Sequence, residues 1–245
     1  MERIINMPSL DYKKVKKDLL SLSEKKRAKG LERFFKTGKG EYGEGDKFLG
    51  ITVPEQRRVA KKYFKEIGLD VIKELLNDGF HEARLTALII LVEKFLSSKE
   101  EEKGKIFRFY LNHTDRINNW DLVDASAPKI IGDWLEDKDK KVLYRLAGSK
   151  NLWERRIAIV STFRFIDKGE LDDAFSISKK LLDDREDLIH KAVGWALREC
   201  GKKDKKRLVK FINENGSKMS RTTLRYAIEK FPEKERKKIL NETKK

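Results

Sequence analysis

The run Asn118-Asn-Trp-Asp-Leu-Val-Asp-Ala-Ser-Ala-Pro128 gathers several side chains able to do chemistry into one short stretch. Trp120 and Asp124 stand four residues apart, so on a helix the indole and the carboxylate project from one face. A fixed carboxylate can stabilise a developing cation or orient a water molecule. An indole face adds further attraction to positive charge. Asn118 or Asn119 can cap such a helix, and Asp121 then sits in its first turn, where the helix dipole favours an anion. That is a sufficient structural reason for Asp121. Pro128 has no N–H to offer the carbonyl of residue 124, so the helix should kink or loosen there. Against a catalytic role stands the plain alternative that an Asp one turn into a helix is a solvated surface residue.

Other constellations carry less. Gly38-Lys-Gly-Glu-Tyr-Gly43 has the spacing G-x-G-x-x-G but follows a helical segment instead of a strand, so no dinucleotide site is expected. The stretch 37–53 reads as a Gly-rich loop leading into a helix at Pro54. His81, His113 and His190 have no ligand-like spacing and read as surface or packing residues. Cys200 closes a helical apolar pattern and reads as packing. Neither a nucleophile elbow nor a P-loop is present. The single Cys excludes a disulfide scaffold and a thiolate metal cage, and no metal or cofactor is expected.

The elements that must position these residues are helices. The chain has 245 residues with only 4 Pro. Apolar residues recur at i, i+3, i+4 and i+7 over 10–22, 26–35, 56–67, 71–76, 83–96, 105–111 and 120–135. The pattern continues over 142–146, 153–166, 171–182, 188–198, 206–212, 222–231 and 233–240. No stretch alternates long enough to need a strand, so the chain is expected to be all-α. Pro54 and Pro232 suit first-turn positions. Glu154-Arg-Arg-Ile-Ala-Ile-Val160, Ile189-His-Lys-Ala-Val-Gly-Trp195 and Leu224-Arg-Tyr-Ala-Ile-Glu-Lys230 start at intervals of 35 residues, and Ala83-Arg-Leu-Thr-Ala-Leu-Ile89 is a less regular copy. Helix pairs repeated in this way bury their apolar faces only by stacking, which predicts an α-α superhelical solenoid with a concave face. One domain over 1–245 is expected, with 1–50 holding the N-terminal helices and the Gly-rich loop and 51–245 the stacked pairs. Arg156 falls in register with Lys191, and Arg155 with Arg225. Basic residues at one helical phase either line the concavity as a positive groove or are ordinary outer-face residues; the pattern leaves both open. Trp134, Trp153 and Trp195 all lie at apolar phases and read as core, with Gly194 reducing the cover beside Trp195.

Charge narrows the partner. The formal net charge is +16 with a pI near 9.7, the electrostatic footprint of a protein that binds nucleic acid. A Lys/Glu-rich solvated surface explains the 40% of charged residues but not their imbalance. No apolar run approaches a membrane span, and Met1-Glu-Arg-Ile-Ile-Asn6 lacks a signal-peptide layout, so a cytoplasmic, intracellular protein is expected.

The segments Asn119-Trp-Asp-Leu-Val-Asp124, Asn151-Leu-Trp-Glu-Arg-Arg156, Lys191-Ala-Val-Gly-Trp-Ala-Leu-Arg198 and Phe48-Leu-Gly-Ile-Thr-Val-Pro54 with Arg57 and Arg58 together resemble those of the AlkD-type DNA alkylation repair glycosylases. The likeness runs in order from about residue 31 to about 231. It implies HEAT-like repeats, the architecture reached above from periodicity. It further implies that Asp124 is the catalytic carboxylate, that Trp120 and Trp195 flank the sugar of the lesion nucleotide, and that Arg156 grips the DNA backbone. Lys191 and Arg198 are then further candidates for phosphate contact. The implied activity is excision of positively charged N3- or N7-alkylated purines from double-stranded DNA by a monomer without metal or cofactor. The insertion 37–47 departs from the family pattern. The alternative function is a repeat protein that binds DNA or RNA without catalysis.

Overall fold

A computed structural model describes residues 9–243; the N-terminal hexapeptide considered above lies outside that range. The chain divides into two compact units, Met1–Ser126 and Ala127–Lys245. The described residues form helices joined by turns and loops, with no β-strand; Lys47 and Phe80 form one isolated bridge.

The first unit holds α1 (Leu10–Ser21), α2 (Lys25–Phe34), α3 (Val53–Tyr63), α4 (Leu69–Leu76), α5 (His81–Ser97), α6 (Glu100–Leu111) and α7 (Trp120–Ala127), the last ending at the unit boundary. The helix α5 is buried without interruption from His81 to Val92, and its buried residues include the polar His81, Glu82, Arg84 and Thr86 as well as the apolar run 87–92. The packing of α1, α3 and α4 against it forms the core. The start of α3 is set by a capping box in which Thr52 and Glu55 bond reciprocally, with Pro54 in the first turn as expected. Between α2 and α3 the chain forms the anticipated loop. It closes on α2 at Gly50, which has φ +82° and whose Cβ, if present, would stand 2.2 Å from the Glu24 carbonyl oxygen. In contrast α2 itself has no buried residue and carries Lys25, Lys26, Arg27, Lys29 and Arg33.

The second unit holds α8 (Lys141–Leu146), α9 (Leu152–Ser161), α10 (Phe163–Asp167), α11 (Asp172–Lys180), α12 (Asp187–Lys203), α13 (Lys205–Asn215), α14 (Arg221–Ala227) and α15 (Glu233–Glu242). The three sequence repeats fall on α9, α12 and α14, each followed by a further helix, and α12 packs against both α9 and α14. The continuous apolar pattern 153–166 breaks at Thr162 into α9 and α10. Pro232 stands one residue before α15 as its N-cap. Gly194 serves a different purpose from the one expected. A Cβ there would lie 2.4 Å from Cβ of Tyr226 and 2.7 Å from the Thr223 carbonyl, so glycine permits α12 to approach α14 closely.

Candidate active site

The helix α7 starts where the sequence places it. Asn119 is fully buried, and its Oδ1 accepts the Trp120 N–H at 2.8 Å. Leu122 and Val123 are buried, which anchors one face of α7 and leaves Trp120, Asp121 and Asp124 half-buried on the others. Behind Asp124 lies Tyr110, wholly buried, whose hydroxyl pairs with Ser126 Oγ at 2.9 Å. Burial pushes the Tyr110 phenol up, and the charge of Asp124 adds to it. Tyr110 therefore stays neutral beside that carboxylate. At Pro128 the α-helix gives way to a π-helical turn, Pro128–Gly132, in agreement with the missing N–H. Such widened turns recur where proteins expose backbone for function.

Trp120 does not stand alone. Its ring stacks on Phe35 at 5.3 Å and 19° and meets the edge of Phe34 at 6.0 Å. Phe35 also packs on Phe48 at 5.1 Å. These rings, with Leu31 and Val53, line a largely apolar cavity of about 390 Å³. Phe34 is 62% exposed, unusual for a side chain of its size, and stands at the cavity wall.

Beneath the rings lies an ionic network that the sequence did not reveal. His81, buried in the first turn of α5, places Nε2 at 2.8 Å from Oδ2 of Asp121 and Nδ1 at 3.2 Å from Oδ2 of Asp46. Arg84 donates to Asp46 Oδ1 at 2.6 Å, and Asn119 donates to Asp46 Oδ2 at 3.3 Å. Burial alone would lower the pKa of His81, but the hydrogen bonds to Asp121 and Asp46 outweigh it and raise it from 6.5 to about 9. Burial would likewise raise the Asp46 carboxyl, yet His81 and Arg84 hold it below the usual carboxylate range. The neighbouring Glu82 accepts the amides of Leu49, Gly50 and Ile51 at 2.9, 2.8 and 3.3 Å. Two expectations are corrected here. His81 is an ionic centre instead of a packing residue, and Asp121 is its partner instead of a carboxylate serving only the helix dipole.

The remaining candidates stand in the second unit, on α9 and α12. Trp195 is half-buried with its ring 4.3 Å from that of Phe163, so it is not core. Trp153 is core, whereas Trp134 is half-buried with the Lys138 ammonium 4.0 Å above its ring. Arg156 is only 5% exposed, and its guanidinium donates to the Leu188 carbonyl at 2.7 Å, joining α9 to α12. Lys191 is half-exposed and pairs with Asp187 at 2.8 Å. Arg198 pairs with Glu199 at 3.2 Å and with Glu229. Arg155 forks onto Asp184 at 2.6 and 3.2 Å. Burial pushes the Cys200 thiol up to about 12, which suits a packing residue. Among the described residues no cluster of His, Cys, Asp or Glu is arranged to hold a metal ion, and no helix is long and apolar enough to cross a membrane.

An all-helical chain built from stacked repeats is an architecture that known proteins share. The family model described as DNA alkylation repair enzyme matches residues 15–231. The chain belongs to that DNA alkylation repair family. Among solved structures it is similar to one described as a predicted DNA alkylation repair enzyme from Enterococcus faecalis. That similarity has a TM-score of 0.66 at 19% identity and covers 86% of this chain and 97% of the other. It is also similar to AlkD2 from Streptococcus mutans, with a TM-score of 0.54 at 20% identity, covering 85% and 99%. These likenesses establish the helical-repeat fold. No curated protein matches the chain in sequence.

Proposed function

We propose that this protein is a monomeric DNA glycosylase that removes positively charged N3- and N7-alkylated purines from double-stranded DNA. The observation that carries the reading is Asp124, a half-buried carboxylate one turn after Trp120 on the helix that loosens at Pro128. An alkylated purine already bears a positive charge, so it leaves as a neutral base and needs no strong general acid. Breaking the N-glycosidic bond then puts cationic, oxocarbenium-like character on the deoxyribose. The Asp124 carboxylate stabilises that cation and orients the attacking water. Trp120 and Trp195 present indoles to the sugar, each contributing roughly 0.5–2 kcal/mol of attraction to a cation. Lys191 and Arg198 exchange their carboxylate partners Asp187 and Glu229 for phosphates, and Arg156, held by the Leu188 carbonyl, adds a fixed positive charge. The charge of +16 supports a polyanionic substrate.

The test is single-turnover release of N7-methylguanine from a defined duplex. Asp124→Asn is expected to slow release by about 10²–10³-fold, the usual loss when a preorganised electrostatic contact is removed, with duplex binding retained. The exposed Asp137→Asn serves as the charge-matched control. Release by Asp124→Asn at the control's rate overturns the carboxylate assignment. Tight, salt-sensitive duplex binding with no release by wild type replaces the enzyme with a non-catalytic binding module.

A further inference from the structure

His81 faces two carboxylates with two ring nitrogens. An ionised carboxylate only accepts hydrogen bonds, so both nitrogens must carry a proton at once, and only the imidazolium does. Neutral imidazole has one N–H; its other nitrogen would turn a lone pair toward Asp46 or toward Asp121. The site is also built to keep the proton, since the rings of Phe48 and Phe35 stand 4.8 and 4.9 Å from that of His81. The charged groups that meet His81 come from three elements. Asp46 comes from the Gly-rich loop, Asp121 from α7 and Arg84 from its own helix, while the end of α2 contributes only the neutral Phe35. The acid next to it, Glu82, is occupied by loop amides.

What these contacts hold is the beginning of α7. Asp121 ties the first turn to His81. Asp46 reaches the same turn through Asn119, whose side chain in turn takes the Trp120 N–H. Phe35 carries the contact on to the Trp120 ring. Loop, α5 and α7 are thus fastened at one cation.

We propose that His81 is a positioning residue for the reaction: as an imidazolium it clamps the Gly-rich loop to the first turn of α7 and thereby fixes Trp120 and Asp124 for attack at the sugar. This inference rests on Asp124 being the catalytic carboxylate. It also gives the loop 37–47 a purpose, because the loop delivers Asp46. Loss of the proton releases one of the two carboxylates and loosens the helix start, and a displacement of about 1 Å at a reacting group costs on the order of 10²-fold in rate.

The experiment is the pH profile of single-turnover N7-methylguanine release by the intact protein, from about pH 7 to about pH 10, for wild type and Asp46→Asn. Wild type is expected to lose at least about tenfold in rate on an alkaline limb whose midpoint follows the His81 titration. In Asp46→Asn an amide N–H replaces a carboxylate oxygen and satisfies a neutral His81, so the alkaline limb should vanish even though the rate at neutral pH falls a few-fold. A purely structural role predicts lower thermal stability and no change in the shape of the profile. A flat wild-type profile, or a limb retained in Asp46→Asn, overturns the proposal. The backbone amide resonances of Trp120 and Asp121 in wild type provide a second reading that needs no activity and no variant to fold. They should move with the His81 titration, and their indifference to it overturns the clamp. A wild type that releases no base at any pH removes the catalytic reading of Asp124 by itself, and the amide resonances then decide the clamp alone.

Discussion

The two units bury different things. In the first, Asp78, His81, Glu82 and Arg84 are all nearly inaccessible, and the loop and two helices meet on charged hydrogen bonds. In the second, Arg156 is the one charged residue buried to that degree among the described residues, and α9, α12 and α14 meet on small and aliphatic side chains. Aliphatic packing is indifferent to pH and tolerant of similar shapes. A buried ionic network is neither, since each member left unpaired costs far more than the pair contributes. The first unit therefore carries geometric specification at the price of pH sensitivity, and it is the unit that carries Asp124.

The largest expected effect follows from cutting that network. Asp121→Asn leaves His81 charged with a single carboxylate and is expected to destabilise the protein by about 2–4 kcal/mol, read from urea unfolding at neutral pH. A cost below about 0.5 kcal/mol would show that Asp121 answers only to the helix dipole, as the sequence suggested. The pH dependence follows from the same pairing. Below its ordinary value of 6.5 His81 is protonated whether folded or unfolded, and the full stabilisation is present. Above it the unfolded chain releases the proton while the folded chain keeps it up to about 9. Stability should therefore fall between those two values by about 1.4 kcal/mol per unit, about 3 kcal/mol in all. Hydrogen exchange should show the loss in α5 and α7, with α12 and α14 unaffected.

A pair of glycines sharpens the contrast with opposite signs. Gly194→Ala places a Cβ against the Thr223 carbonyl, a backbone atom that cannot swing aside, and should cost about 1–3 kcal/mol. Gly30, in mid-helix on exposed α2, has no atom within 4 Å of its would-be Cβ. Gly30→Ala should stabilise by about 0.5–1 kcal/mol through helix propensity alone. Thermal melting of both variants, with equal signs as the adverse result, checks that α2 is bound by its ends and not by its face.

How much of this could be read in the sequence differs between the two units for the same reason. Helix periodicity is local, so the helical segments, the break at Pro128 and the spacing of the repeats are all visible in the residues themselves. The 35-residue spacing of α9, α12 and α14 is legible because their interfaces are apolar and repeat the same small residues. The His81 network is not local: Asp46 and Asp121 stand 35 and 40 residues away from His81 in sequence. A signal was nevertheless present. Residues one repeat apart can stand side by side, and opposite charges at that separation pair again in the second unit, as in Arg207 with Asp172, 35 apart. Asp46 and His81 are among the charge pairs that stand one repeat apart, together with others such as Lys65 and Glu100, so the spacing by itself does not choose between them. Gly194 misleads for a related reason, since sequence shows that space is needed but not which neighbour fills it. Whether Trp120 and Asp124 project from one face was legible, while the stacking of Phe35 on Trp120 requires the fold.

The smallest effect concerns DNA affinity and leaves stability almost untouched. Lys191 is paired with Asp187 one turn earlier, an exposed contact worth about 0.3–0.5 kcal/mol, so a phosphate displaces the carboxylate with little loss. Arg198 is held by Glu199 and by the exposed Glu229 and can turn outward in the same way. Arg156 differs, because its guanidinium is buried and donates to the Leu188 carbonyl, a bond that ties α9 to α12. Each phosphate neutralised contributes a slope of about −0.9 to the logarithm of affinity against the logarithm of salt concentration. Lys191→Ala and Arg198→Ala should each make the slope for undamaged duplex shallower by about that amount while melting within about 0.5 kcal/mol of wild type. Arg156→Ala should do the reverse, lowering the melting temperature and leaving the slope in place. If Arg156→Ala instead flattens the slope as Lys191→Ala does, its guanidinium leaves Leu188 to reach DNA, and even the buried charge of the second unit belongs to the interface rather than to the packing.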